Sequence, residues 1–307
     1  MKNIRSLIIF LIFFFLLSIL PSCGGSDIPP AKMENFSEMR TIKVYAEQSY
    51  YDDKGNKIEN FKLPVYEDCE KILENIGFSV TDADDKKYDS ILEIKMGGTA
   101  LSDYYHDMDT NTKVLLYTGA ELDGSISLII ESVDSVEKNF SEIRELPTGT
   151  VSKPLSPSDA PFDRLGWQKH LFLILSDVWG TEILSKSMEI KDIFIRTQVI
   201  EALALEEDPS SVDILISILE DENFKYYRED ITEALGKKKD KSSVPAIAAI
   251  LINDESPLRR EAAARSLGEI GDEAALDALN QALEEDGDED VVRECRKAID
   301  IILEGGE

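Results

Sequence analysis

An α+β domain followed by an all-α superhelical solenoid is the fold class that this 307-residue sequence predicts. The prediction rests on three observations. First, the last third repeats one pattern every 32 residues: Arg196, Ala202, Leu203 and Asp208, then Arg228, Ala234, Leu235 and Asp240, then Arg260, Ser266, Leu267 and Asp272. A fixed period in the range of about 20–50 residues marks units that cannot bury their apolar faces alone and must stack on one another. Second, the stretch before it mixes alternating runs with helical spacing, the texture of a small α+β domain. Third, an apolar leader and a breaker-rich segment precede both. The resulting organisation is a signal peptide over 1–22, a flexible tether over 23–39, an α+β domain with its closing helix over 40–187, and a repeat domain over 188–307.

The leader begins Met1-Lys2-Asn3-Ile4-Arg5, continues as an apolar run from Leu7 to Leu20 and ends Pro21-Ser22-Cys23-Gly24-Gly25. A basic n-region, a short apolar h-region and small residues at a cleavage point constitute a secretory signal. The rival reading is an uncleaved anchor helix, but the run is short for a bilayer span, which needs about 20 residues. Leu20-Pro21-Ser22-Cys23 resembles the bacterial lipobox. That resemblance implies cleavage before Cys23, acylation of Cys23 and a mature chain tethered to the membrane in the cell envelope. With Gly24 rather than Asp after the cysteine, it further implies the outer membrane of a Gram-negative cell, facing the periplasm or the cell surface. Burial of each acyl CH₂ contributes about 0.8 kcal/mol, so more than one chain gives a firm anchor. From Gly24 to about Met39 the sequence has no period and many breakers, as a tether does.

In the α+β domain, Thr41 to Tyr45 alternates like a half-buried strand. Val65, Cys69, Ile72, Leu73 and Ile76 recur at helical spacing. Ser90–Leu101 and Lys113–Ile130 read as long strands, with Gly119 and Gly124 marking bulges or bends. Ile143–Lys153 is a further candidate strand, and Phe162–Ser187 a long closing helix placed to cap the open end of the stack. The expected sheet is antiparallel and covered on one face. Cys69 and Cys295 fall in different domains, and a disulfide between them is not expected; Cys69 sits on an apolar helix face as a small core residue.

Each repeat reads as a first helix carrying Arg and the Ala-Leu pair, a tight turn, and a second helix introduced by Asp208, Asp240 or Asp272. A carboxylate there accepts the free N–H groups of a helix start. Val212, Leu215 and Leu219 align with Val244, Ile247 and Leu251 and with Leu276, Leu279 and Leu283 as the ladder between helices. The segment Leu258-Arg259-Arg260-Glu261-Ala262-Ala263-Ala264-Arg265-Ser266-Leu267-Gly268-Glu269-Ile270-Gly271-Asp272 resembles the short HEAT-like repeat, the type also found in phycobilisome linker lyases. The resemblance covers about 110 residues from Lys191 and implies a HEAT-like superhelical solenoid. Copies differ: Ala204 stands at the turn Gly of the first, and Lys237-Lys238-Lys239 fills the turn of the second. The final first helix has Val292 where Arg is expected.

The formal charge of -28, from 61 acidic against 33 basic side chains, repels phosphate backbones, so nucleic acid is excluded as a partner. With only His106 and His170 available, no catalytic constellation is recognisable, and neither enzymatic activity nor a cofactor is expected. Asp107-Met108-Asp109-Thr110-Asn111 opens like a calcium loop but has Thr112 at the turn and Thr118 at the closing ligand, and therefore reads as a solvated hairpin. The acidic run Glu284–Asp290 reads as a solvated linker.

Arg196, Arg228 and Arg260 are expected to pair with acidic groups of their own or the adjacent repeat, the rival reading being a row that binds an anionic ligand. On the second helices, Ile214, Ala246 and Ala278 form one row, and Ile218, Ile250 and Ala282 another. In a HEAT-type stack these rows line the concave side, where Ile214, Ile218, Ala246, Ile250 and Ala282 would receive a helix or peptide of a partner; the alternative is burial between successive second helices. The functional expectation is a membrane-tethered lipoprotein that scaffolds an unknown envelope protein through its repeats. The alternative is a ligand carrier or enzyme with its site near Tyr104, Tyr105, His106 and Asp107, the repeats serving as support.

Overall fold

The computed structural model describes residues 41–84, 86–107, 112–130, 133–145, 160, 162 and 166–305. Strand β1 spans Thr41–Tyr51, helix α1 Val65–Ile76, β2 Ser79–Thr81, β3 Ser90–Asp107, β4 Thr112–Ile130 and β5 Val133–Glu145. The sheet order is β2-β1-β3-β4-β5. β1 runs parallel to both β2 and β3, whereas β3-β4 and β4-β5 are antiparallel, so the sheet is mixed rather than antiparallel throughout. The reason is α1: a crossover helix between β1 and β2 returns the chain to the same end of the sheet, which makes the two strands parallel.

Period-2 burial follows from one covered face. Leu92, Ile94, Met96 and Ala100 of β3 point to the core, as do Leu122, Ile126 and Leu128 of β4, with Leu92 opposite Leu128 and Ile94 opposite Ile126. Gly124 keeps its register with Met96 and makes no bulge. A Cβ there would lie 2.7 Å from the Phe140 ring and 2.4 Å from the Lys95 carbonyl oxygen, so this glycine is needed for close approach. The register slips instead between Leu101 and Ser102, beside Gly119. The last strand runs Val133–Glu145, earlier than the expected 143–153, most of which lies outside the described residues.

α1 covers the β1–β2 side through Val65, Cys69, Ile72, Leu73 and Ile76, and stops at Gly77 in the left-handed region (φ 107°). α2 (Gln168–Trp179) covers β4 and β5. The expected long helix is broken at Gly180, whose φ of 84° and ψ of 169° no helix accommodates; α3 (Glu182–Ser187) follows. Leu171, Phe172, Leu173, Ile174, Leu175 and Val178 are all buried, more than one stripe of α2, because the helix packs against the sheet and also against α4.

The repeats continue from there. α4 (Ile193–Leu205), α6 (Arg228–Lys238), α8 (Pro257–Ile270) and α10 (Glu289–Glu304) pack in succession as the first helices; α5 (Ser210–Glu220), α7 (Val244–Asn253) and α9 (Leu276–Glu285) are the second helices. α2 therefore serves as lid of the sheet and first layer of the stack. Asp208, Asp240 and Asp272 each accept the backbone N–H two residues on, from Ser210, Ser242 and Ala274 at 3.0, 2.8 and 2.9 Å, and so start the second helices as read from sequence. The first helices approach closely at small residues: a Cβ on Gly236 would lie 2.8 Å from Ser266 Oγ, and one on Gly268 3.0 Å from Ala298 Cα.

Candidate interaction surface on the repeat stack

Two of the three repeat arginines meet a buried or nearly buried aspartate of their own repeat. Arg228 Nη1 donates to Asp254 Oδ2 at 3.1 Å, its Nη2 to Glu222 Oε1 at 2.5 Å and its Nε to the Leu219 carbonyl at 3.3 Å. Arg260 grips Asp286 with Nε and Nη2, at 2.7 and 3.0 Å, and donates from Nη1 to the Asp254 carbonyl at 2.9 Å. Asp254 and Asp286 end the second helices, each 26 residues after its arginine. Their Oδ1 atoms also accept the N–H of Ser256 and Asp288 at 2.9 Å, which turns the chain into the next first helix. Asp254, with a side chain only 1% exposed, additionally takes Arg259 Nη1 at 3.2 Å. The Arg260 hydrogen bonds hold the Asp286 carboxyl below its ordinary value and raise Arg260 in turn.

Arg196 departs from this pattern. Its Nε donates to the Met188 and Ile190 carbonyls at 2.9 and 2.8 Å, and its guanidinium lies 5.0 and 5.7 Å from the Phe224 and Tyr227 rings. The guanidinium thus lies against aromatic faces of the next repeat where the other two meet carboxylates. All three arginines are engaged within the stack, which leaves little for a row of anion sites. The partners Asp254 and Asp286 were readable in sequence from their own 32-residue spacing, a signal that the leading Arg-Ala-Leu pattern overshadows.

The second-helix rows divide. Ile218, Ile250 and Ala282 are 7, 8 and 4% exposed and belong to the apolar core, so they are not an open contact stripe. Ile214, Ala246 and Ala278 are half-buried beside them and keep an accessible face. At the ends of α7 and α9 a recess of about 280 Å³ is floored by the Arg260–Asp286 pair.

A third row escapes a reading centred on the second helices. Phe194 and Leu258 in the first turns of α4 and α8, and Tyr226 in the 3₁₀ turn that leads into α6, are spaced by 32 residues and are 38, 63 and 77% exposed. Two residues beyond the end of α3, α5 and α7 stand Glu189, Glu222 and Glu255, all exposed.

In the sheet region the candidates do not converge. Tyr104 is exposed near the end of β3; the side chains of Tyr105, His106 and Asp107, together with residues 108–111 of the calcium-like loop, lie outside the described residues, as does Cys23. His170 Nε2 lies 2.6 Å from Glu142 Oε1 and its ring stacks on Phe140, while Lys169 Nζ reaches Glu142 Oε2 at 2.8 Å. Burial pushes the Glu142 carboxyl up, but these two partners outweigh it and the net shift is downward. On the uncovered sheet face a groove of about 470 Å³ runs between Tyr45, Glu47, Ile91, Glu93 and Lys95. Cys69 and Cys295 are both buried and unbridged, with burial raising the thiol of the latter to about 11. Among the described residues there is no helix long and apolar enough to cross a membrane.

Layered helix pairs bound by a periodic Arg–Asp clasp define an α-solenoid. Within it, residues 217–300 match the family of HEAT repeats. The first copy, from Lys191, lies outside that match although α4 and α5 follow the same layering. Among solved structures, that of human deoxyhypusine hydroxylase in complex with glycerol is similar at 26% identity, with a TM-score of 0.37, over 40% of this chain. The chain spans 43% of that protein. No curated protein sequence matches it.

Proposed function

We propose that the chain is a lipid-anchored scaffold of the cell envelope, held to a membrane through acylated Cys23, whose repeat stack binds another protein. The carrying observation is the helix stack, matched as HEAT repeats over residues 217–300, which presents accessible apolar residues at the repeat spacing: Ala246 and Ala278 on the second-helix face, continued by Ile214 just before the matched region, and a row near the first-helix starts. Extended stacks of this kind offer long surfaces rather than enclosed pockets. The surface charge favours basic partners and disfavours nucleic acid.

The test has two parts. Palmitate labelling is expected in the wild type and absent in Cys23→Ala; equal label in both contradicts the anchor. The full chain is expected to recover a discrete protein from solubilised membranes. That recovery should be lost when Ile214→Asp, Ala246→Asp, Tyr226→Ser and Leu258→Ser are combined, and kept in Tyr51→Ser plus Ile143→Ser, which alters exposed residues of the sheet. The reverse pattern assigns binding to the sheet and refutes the scaffold reading.

A further inference from the structure

The row Phe194, Tyr226 and Leu258 has no counterpart in the helix-ladder packing. Core positions of the stack repeat because each layer must bury the same face; at the position one residue after this row, Ile195 and Tyr227 are buried and Arg259 is held by Asp254. The three row residues are themselves exposed, yet they repeat with the same spacing and are large and apolar each time. Internal packing does not require this. An exposed apolar residue set singly on a surface is ordinary, whereas one regularly spaced row through three consecutive layers makes a continuous strip.

The chemistry around the strip is acidic. Glu189, Glu222 and Glu255 stand in the connections that lead into α4, the 3₁₀ turn before α6, and α8, and Glu229, Glu289 and Asp290 add exposed carboxylates on neighbouring first turns. Glu222 shares its charge with Arg228, Lys225 lies 5.3 Å from the Tyr226 ring, exposed Lys191 precedes Phe194 and Arg259 beside Leu258 is paired with Asp254, so the strip carries both signs with carboxylates in excess.

We infer that this edge of the solenoid, rather than its second-helix face, is the docking site for a cationic amphipathic helix of a partner protein. The inference rests on the scaffold reading and names the surface and the partner chemistry. Neighbouring packed helices lie about 8–10 Å apart, and seven residues of an α-helix advance about 10.5 Å. A helix laid across the layers therefore places every seventh residue opposite Phe194, Tyr226 and Leu258 in turn. Basic residues between those anchors meet the carboxylates of Glu189, Glu222 and Glu255. A bilayer surface is the weaker candidate, because a chain of charge -28 is repelled by anionic headgroups.

The probe is a synthetic helix of about three heptads with Leu at every seventh position and Lys or Arg beside each Leu. Its control keeps the Leu residues and replaces every basic residue with Glu. Titrated into the full chain with its lipid omitted, the basic peptide is expected to bind with a salt-dependent affinity and the acidic control at least tenfold more weakly. Tyr226→Ser and Leu258→Ser together are expected to weaken the basic peptide at least tenfold while leaving net charge and melting temperature unchanged, since both side chains are mostly exposed, and adding Phe194→Ser is expected to weaken it further. Ile214→Ser plus Ala246→Ser is expected to leave it unchanged. Equal binding to the triple variant, no binding to the wild type, or binding of vesicles of phosphatidylcholine and phosphatidylglycerol through the same three residues would overturn the inference. If the edge variants are silent but the combined stack variant still loses its membrane partner, the edge assignment fails and the scaffold reading stands. If both are silent, the scaffold reading fails as well.

Discussion

The sheet and the stack share α2 but handle polar groups in opposite ways. In the sheet region, charged residues sit at the margins: Lys43, buried against the uncovered face, reaches outward to exposed Asp84 between the Tyr45 and Tyr88 rings, and Glu142 is satisfied by Lys169 and His170 at the seam with α2. In the stack, carboxylates are drawn inward. Asp254 and Asp286 are buried at the joints between layers, each held by an arginine and each turning the chain into the next helix. The sheet obtains its shape from apolar alternation on one face. The stack needs, besides its ladder, a polar clasp that fixes where each layer begins.

This contrast can be broken most severely at Asp254. Asp254→Ala leaves Arg228 and Arg259 without their buried partner and is expected to destabilise the chain by about 3–5 kcal/mol, measured by chemical denaturation. Lys43→Met, which removes a charge whose partner Asp84 stays in solvent and leaves no buried carboxylate behind, is expected to cost far less. A similar loss for both would show that the joints have no special role.

The Asp286 clasp carries a pH signature. Its folded carboxyl value is depressed, so its contribution is complete above the unfolded value of about 4 and is lost as pH falls through the lower folded value. Asp68 runs the other way, since burial raises it, and acid relieves rather than harms it. Asp286→Asn is expected to cost about 1.5–3 kcal/mol at neutral pH and to flatten the acid limb of the stability curve. An unchanged acid limb would contradict the clasp.

Gly268→Val tests the close approach of α8 to α10 at Ala298, with an expected loss of about 1–3 kcal/mol; Gly287→Ala, where an added Cβ meets nothing within 4 Å, is expected to be nearly neutral. The smallest effect is a gain. Lys239 ends α6 in the left-handed region (φ 53°), where Gly271 stands at the end of α8. Lys239→Gly is expected to stabilise by about 1 kcal/mol, read as a rise in melting temperature.

How far the sequence could be read differs between the same two regions. One period placed the layers, the Asp208, Asp240 and Asp272 helix starts and the Leu215, Ile247 and Leu279 ladder, because every copy meets the same surroundings. It could not say which of two adjacent rows, Ile218–Ile250–Ala282 or Ile214–Ala246–Ala278, lies in the core, since both are apolar and only the rotation of the second helices separates them. In the sheet, alternation identified the strands but not their directions; the crossover through α1 decides that β1 and β2 are parallel. Gly124 read as a bend because a glycine that admits a neighbouring ring and one that breaks a strand look alike in sequence. The clasp partners Asp254 and Asp286 and the outer row Phe194, Tyr226 and Leu258 were present in the period and became interpretable only once burial separated inward from outward positions.

The account turns on the stack being the working surface of a tethered protein. The most direct measurement is in-cell photo-crosslinking of the full-length chain, with the crosslinker at Tyr226 or Leu258 on the stack edge and at Tyr51 or Ile143 on the sheet. The account predicts one discrete adduct from the stack positions, in the membrane fraction, and none from the sheet positions; an adduct that forms from Tyr51 or Ile143 and not from Tyr226 or Leu258 would contradict it.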